Sequence, residues 1–150
     1  MAYDTAWANS AQNARVLLDR ISRELRQAKD VVTQIPANED DESIQQPHLI
    51  EFEDGHANDL TYRRYYLEGT TLKLDVKEYY MASDPSTRVK WDTTNNGTPA
   101  VSSVISSVDV AEMVQSLRFY GGNTIQIVIQ TGDGTAPNVT MQTSIQGRNR

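Results

Sequence analysis

Between about Asp4 and Gln34, apolar residues recur at alternating steps of three and four, the spacing that puts side chains on one face of an α-helix. The apolar series comprises Trp7, Ala11, Ala14, Leu18, Ile21, Leu25, Ala28, Val32 and Ile35. Neither Gly nor Pro interrupts the run before Pro36, which disfavours helical backbone at the residue before it. The pattern predicts one long amphipathic helix that ends near Ile35.

The length of this predicted helix exceeds the width of a compact domain. About 30 residues at 1.5 Å per residue make a rod of roughly 45 Å, whereas a compact chain of this size is somewhat under about 40 Å across. One end of the helix should therefore project. The heaviest apolar residues lie between Leu17 and Leu25, so the N-terminal end is the one expected to project.

Two groups of residues on the helix are predicted sites of contact. Leu18, Ile21 and Leu25 are expected to form the seam between the helix and a β-sheet. The expected subunit interface, which combines one large side chain with small ones, comprises Trp7, Ala8, Ala11 and Ala14. An alternative stays open, in which the whole apolar stripe lies on the sheet and only the first turns fray.

From Leu49 onward the apolar period changes to two, which is typical of β-strands with one buried face. The clearest alternations run through residues 72–77 and 125–130. Glycine-containing turns at residues 68–70 and 121–123 connect these segments to their neighbours. Since no second long helical pattern separates the strands, short antiparallel hairpins are predicted.

The fold class that follows is α+β, with a long N-terminal amphipathic helix (1–35) packed on an antiparallel β-sheet head (36–150). Residues 81–111 break the pattern of alternation. They are predicted to form a long loop with a short strand near Arg88–Trp91 and a helical turn near Asp109–Met113.

The composition excludes some classes of function. The chain has 150 residues, which suits one domain, and a formal net charge of −6. Because nucleic-acid binding needs a cationic face, this charge argues against a nucleic-acid partner. The absence of cysteine removes disulfides and thiolate metal sites. No apolar run is long enough to span a bilayer.

One pattern is typical of metal-dependent nucleases: Asp59, followed by Asp75 and Lys77 at the acidic-x-Lys spacing. However, Asp75 and Lys77 are also the polar half of an alternating strand, where an exposed face places charges. The net charge also has the wrong sign for DNA. We therefore interpret these residues as an exposed strand face and predict no catalytic residue, no metal site, no cofactor and no enzymatic activity.

Three other polar groups are interpreted as structural rather than functional. The tyrosine and arginine run at residues 62–66 would place its tyrosines on both faces of a strand, so it would not form a base-stacking platform. The acidic run at residues 39–42 follows no template for a Ca²⁺-binding loop. His48 and His56 are too sparse for a metal site.

The order of several short segments resembles a known family, the type IV pilin-like minor subunits. The resemblance is to the J-type minor pseudopilins of type II secretion and to PilW-like minor pilins, in which an arginine-rich amphipathic helix ends in Leu-Arg-Gln-Ala, as at residues 25–28. The similar segments are Leu17–Ala28, Leu60–Arg63, Glu68–Leu72, Leu117–Tyr120, Ile125–Ile129 and Thr143–Asn149. They cover most of the chain outside about residues 82–106.

The sequence also departs from the family pattern. It has no prepilin cleavage signal and no apolar half-helix, Leu74 stands where an arginine is common, and Gly147 replaces a more usual leucine. We expect that the membrane-spanning half of the helix has been removed from this sequence. Membrane contact is then expected only through that missing segment.

The resemblance implies a non-enzymatic structural subunit that assembles through its N-terminal helix into a type II secretion pseudopilus or a type IV pilus, at the filament tip. Its partners would be other minor pseudopilins or pilins, bound by helix packing. The implied location is the bacterial inner membrane, with a periplasmic or extracellular head. The alternative is a stand-alone ligand- or peptide-binding β-domain with a helical stalk.

Overall fold

A computed structural model describes residues 2–38, 48–55, 59–121, 123–134 and 137–146, with side chains from Ala8 onward. The elements in chain order are helix α1 (Ala2–Arg26) and strands β1 (Leu49–Glu53), β2 (Tyr62–Glu68), β3 (Thr71–Met81), β4 (Asp84–Arg88), β5 (Thr94–Asn95), β6 (Thr98–Pro99), β7 (Val101–Ala111), β8 (Val114–Tyr120), β9 (Thr124–Thr131) and β10 (Val139–Gln146). No helix in the described residues is long and apolar enough to cross a membrane.

The described strands form three antiparallel sheets. The large sheet has five strands in the order β1-β2-β3-β4, with β7 paired to β3 as well. The small sheet has three strands in the order β10-β9-β8, and β5 with β6 forms a separate two-stranded hairpin. The hairpins predicted at residues 68–70 and 121–123 are confirmed, because β2 pairs with β3 and β8 pairs with β9.

The predicted fold class, a long helix (1–35) packed on a single antiparallel β-sheet head (36–150), is wrong. Strands make up 54% of the structure and are divided among three sheets. The helix is short, with only 19 residues whose side chains are described. The helix ends at Arg26 rather than near Ile35. The described part of the chain is therefore mostly β, with one short helix at its N-terminus.

The helix ends early because the backbone that follows it pairs with β1. The amide of Val32 donates to the carbonyl of Glu51 at 2.8 Å, and the amide of Glu53 donates to the carbonyl of Asp30 at 2.7 Å. These bonds satisfy backbone groups that a longer helix would have satisfied internally. The close approach also requires Gly55, where a Cβ atom would lie 1.6 Å from the carbonyl oxygen of Gln27.

The prediction of a long loop at residues 81–111, with a helical turn near Asp109–Met113, is also wrong. This segment forms β4 and the 11-residue strand β7, which pairs with β3 along residues 72–80. The pairing contains two register shifts, beside Leu72 and beside Val76. Each shift inserts a residue that interrupts the alternation of the strand, so the period of two is hidden in the sequence.

A single hydrophobic cluster joins the helix to both main sheets. Its buried members are Ala14, Leu17, Leu18, Ile21, Leu25 and Ala28 from the N-terminal segment, Ile50, Phe52, Tyr65, Leu72 and Leu74 from the large sheet, and Val114, Leu117, Phe119, Ile125, Ile127, Ile129 and Ile145 from the small sheet. The core therefore sits where the three elements meet.

Polar contacts fix the position of α1 relative to β2 at the edge of this core. Glu24 accepts a hydrogen bond from the hydroxyl of Tyr65. It also forms an ion pair with Arg63, with 3.0 Å between the Glu24 Oε1 and Arg63 Nη1 atoms. Arg63 also reaches Asp54, with its Nε atom 3.0 Å from a carboxylate oxygen. The Nε atom of Arg20 donates to the Tyr65 hydroxyl at 3.1 Å. These bonds set the rotation of the helix about its axis.

Replacing Leu25 by alanine should lower the free energy of unfolding by roughly 2–5 kcal/mol, because the side chain is buried and its loss leaves a cavity. Val16, on the opposite face of α1, is 58% exposed, so Val16→Ala serves as the matched control and should change little. Urea unfolding of the two variants measures both values. Equal midpoints for Leu25→Ala and the wild-type chain would contradict the placement of Leu25 in the core.

Candidate functional site

The residues predicted as a subunit interface do not lie together on one exposed surface. The side chain of Trp7 falls outside the described part of the structure, and Ala8 is exposed. Ala11 and Ala14 are buried, at 7% and 0% exposure. The Thr131 hydroxyl donates to the backbone carbonyl of Ser10 at 2.7 Å, which holds this turn of α1 against the end of β9. Ala11 and Ala14 are therefore not available to another subunit.

The residues predicted for the seam lie in the hydrophobic cluster. Leu18, Ile21 and Leu25 are buried, at 6%, 0% and 1% exposure. The same cluster contains five residues of β3 and β9, namely Leu72, Leu74, Ile125, Ile127 and Ile129. The apolar face of α1 is thus occupied by the rest of the chain, and only its other face is free to meet a partner.

The outer face of α1 consists of the exposed residues Ala8, Asn9, Gln12, Arg15, Val16, Asp19, Arg20, Arg23 and Arg26. It carries four arginines and one aspartate, although the chain as a whole has a formal net charge of −6. Arg23 and Asp19 form an i, i+4 ion pair in which both side chains are 66% exposed, so the pair contributes little to stability. Within this cationic surface, Val16 is an exposed apolar residue.

A groove of about 390 Å³ lies beside the outer face, between α1 and β10. Its lining residues are Arg15, Leu18, Asp19, Ser22, Arg26, Met141, Gln142 and Thr143. Among the described strands, β10 is an edge of the small sheet, because it pairs only with β9. The groove therefore combines arginine side chains with the edge of a strand that pairs with only one other described strand.

A second polar group lies on the face of the large sheet that does not enter the hydrophobic cluster. Asp75 accepts hydrogen bonds from Arg64 at 2.7 Å, from Ser107 at 2.6 Å and from Tyr66 at 3.2 Å. Burial tends to raise the pKa of Asp75, but the bonds from Ser107 and Arg64 outweigh it, so the pKa lies below 3.8. Asp75 is thus an ionised carboxylate with three donors.

The neighbouring buried charges are also paired with one another. Lys77 lies 2.7 Å from Glu51, and the hydroxyl of Tyr79 donates to the second oxygen of that carboxylate. Burial, followed by this bond to Glu51, raises the pKa of Tyr79. Glu53, in the same strand as Glu51, pairs with Lys90 at 3.0 Å. Each buried charge here has a partner of opposite sign.

The loop between β4 and β5 contacts one end of this polar face, at Tyr62. The backbone amide of Trp91 donates to the Tyr62 hydroxyl at 3.0 Å, and the indole Nε1 atom donates to Asp30 at 2.8 Å. Burial raises the pKa of Tyr62 to about 12, so its hydroxyl stays protonated at neutral pH. Tyr62 and Tyr65 are both fully buried, which removes them from any base-stacking surface.

The three residues of the nuclease-like pattern do not form a metal site. Asp59 has a side chain that is 83% exposed and lies 3.9 Å from Arg88. Asp75 and Lys77 are buried rather than exposed, which corrects our interpretation of them as a solvated strand face. Among the described residues, no group of three or more histidines and carboxylates is placed to hold a metal ion.

Two of the remaining polar groups lie partly outside the described residues. His48 is exposed, whereas His56 and the acidic run at residues 39–42 fall outside the described part of the chain. The buried polar face was not predicted from the sequence. The alternation of Glu51 and Glu53 with Ile50 and Phe52 was the available signal, since it places two carboxylates on the same side of β1.

Asp75→Asn should weaken the pH dependence of stability in acid. The folded chain holds the Asp75 pKa below the value of 3.8. The contribution of Asp75 to the free energy of unfolding is therefore complete above the unfolded-state pKa. It disappears as the pH falls through the lower folded-state pKa. Urea midpoints measured from neutral pH down to strong acid should fall less steeply for Asp75→Asn than for the wild-type chain. Asp92→Asn, an exposed control, should follow the wild-type curve. If the urea midpoints of the wild-type chain and both variants fell equally steeply with pH, the stabilising role of ionised Asp75 would be contradicted.

No protein-family model, no curated protein and no solved structure matches the chain. Its function is therefore inferred from the placement and charge of the described residues. Of the two polar regions, the face of the large sheet has its charges buried and engaged in ion pairs. The outer face of α1 with the adjoining groove is the exposed one, and it is the candidate functional site.

Proposed function

We propose that the protein is a non-enzymatic assembly subunit of the type IV pilin-like minor class, which contacts neighbouring subunits through the outer face of α1. The observation that carries this proposal is Val16, an apolar side chain 58% exposed among four exposed arginines on the same helix. An apolar residue surrounded by cations suits a contact with another helix whose own surface is acidic.

The division of charge in the chain supports such a contact. Four arginines occupy the outer face of α1, whereas the whole chain has a formal net charge of −6, so most of its acidic residues lie elsewhere. A chain with one cationic face and an acidic remainder can associate head to tail with subunits of similar charge. Minor pseudopilins or minor pilins are the partners that the sequence resemblance favours.

The absence of enzymatic activity belongs to the same proposal. Three of the described buried charges are held in ion pairs: Asp75 with Arg64, and Glu51 with Lys77. A general base or a metal ligand needs an accessible group near a space for substrate, whereas these three side chains are buried. The arrangement favours a structural role for these charges.

The groove between α1 and β10 favours the second candidate function, a ligand- or peptide-binding domain. Its volume of about 390 Å³ is within the range of small ligand sites. An extended peptide could add to the free edge of β10 while an acidic side chain reached Arg15 or Arg26. In that case binding would depend on the groove residues, and Val16 would contribute little.

Photo-crosslinking from position 16 tests the proposal. A photoreactive residue at Val16, in cells that assemble the filament, should give crosslinks to other pilin-like minor subunits. Thr98, exposed on β6, is the control position and should give none. Val16→Asp should reduce filament assembly about tenfold, the effect of losing roughly 1.4 kcal/mol of contact energy, without changing the unfolding midpoint.

Two results would overturn the proposal. Crosslinks that are equal at positions 16 and 98 would mean that the outer face of α1 has no special partner. Normal assembly with Val16→Asp, together with capture of a peptide that is lost in Arg26→Ala, would favour the groove and the second candidate function instead.

A further inference from the structure

Strand β7 is a long edge of the large sheet. It runs from Val101 to Ala111 and pairs only with β3 among the described strands. Four of its apolar side chains are exposed by 40–51%, namely Val101, Val104, Ile105 and Val108. Exposed edges with β-branched apolar residues readily pair with another strand, and proteins usually protect them with charges. Residues 101–108 carry no charge.

The sequence of this edge reads the same in both directions. Residues 101–108 are Val-Ser-Ser-Val-Ile-Ser-Ser-Val, which is a palindrome when valine and isoleucine are treated as one class. In an antiparallel pair of two such strands, like residues face each other across a two-fold axis. The facing pairs are Val101 with Val108, Ser102 with Ser107, Ser103 with Ser106, and Val104 with Ile105.

A palindrome of even length raises a geometric problem that the bulge in β7 removes. Residues opposite each other in an antiparallel pair must point to the same face, whereas positions 101 and 108 of a regular strand would point to opposite faces. In β7 the register shifts between Val76 and Lys77 of β3, which leaves Ile105 as an extra residue. This extra residue shifts the alternation by one position, so residues such as Val101 and Val108 point to the same face.

The pairing of β7 with β3 shows which residues of β7 share a face of the sheet. Val101 is opposite Tyr80 and Val108 is opposite Leu74, and these two β3 residues lie an even number of positions apart, so both valines share one face. Ser102 and Ser107 are opposite Tyr79 and Asp75, which lie on the other face. Ser103 and Ser106, opposite Glu78 and Val76, share the face of the valines. In every facing pair except Val104 with Ile105, the two residues therefore point to the same face of the sheet.

We propose that β7 pairs with β7 of a second copy of this chain, antiparallel about a two-fold axis between Val104 and Ile105. The pairing joins two five-stranded sheets into one continuous sheet. The valines of the facing pairs contact each other and the serines can exchange hydrogen bonds. Asp109 then lies opposite Ala100, so no like charges face each other at either end. This inference is independent of the proposed function of α1.

Sedimentation velocity over a concentration series tests this pairing. The wild-type chain, of 16.8 kDa, should sediment as a dimer at the higher concentrations. Val101→Lys and Val108→Glu should each raise the dissociation constant by about tenfold, because each removes two symmetry-related valine contacts. The double variant Val101→Lys/Val108→Glu should restore dimerisation, since the new lysine of one copy faces the new glutamate of the other.

The matched control is the double variant Val104→Lys/Val108→Glu, which introduces the same two residue types without placing them opposite each other. It should remain as weak as the single variants. All substituted positions are exposed by at least 40%, and circular dichroism checks that each variant is folded. A wild-type chain that stays monomeric from micromolar to millimolar concentration would overturn the proposal. Equal association of the two double variants would overturn it as well.

Discussion

The structure depends on the burial of the inner face of α1 in a core that it shares with two sheets. Ile21 is fully buried and Leu25 nearly so, within the cluster that contains Leu72 of the large sheet and Ile127 of the small sheet. Burying side chains of this size stabilises the folded chain by about 1.5–3 kcal/mol each. The three-stranded small sheet has most of its buried apolar residues in this same cluster. The same burial fixes which face of α1 is left for a partner.

The second constraint is the buried polar face of the large sheet. Taking Glu51, Asp75 and Lys77 out of water is costly, and each is compensated by an opposite charge or by several hydrogen bonds. Such a face adds less to stability than an apolar one, but any other register of β1, β2 and β3 would separate the charges. Mutual pairing also satisfies the charges of these groups within the sheet itself.

The sequence predicts those parts of the fold in which one face of an element is simply apolar. Strands β3 and β9 follow from their alternation, and the periodicity of α1 identifies apolar positions such as Ile21 that lie buried. The end of the helix could not be predicted, because the pairing of Val32 with Glu51 competes with helical bonds only in the folded chain. Strand β7 was missed because its bulges break the period of two. Ala11 and Ala14, predicted as interface residues, lie buried within the chain, because small residues suit a tight internal contact as well as one between subunits.

Native-state hydrogen exchange tests most directly whether α1 is an integral part of the core rather than an appendage. Backbone amides between Leu17 and Leu25 should exchange with the same free energy of opening as those of β9, and that energy should fall with urea at the slope of global unfolding. This result is expected because the helix and both sheets bury their side chains in one cluster. Exchange of the α1 amides at a clearly lower free energy than the β9 amides, independent of urea, would contradict the account.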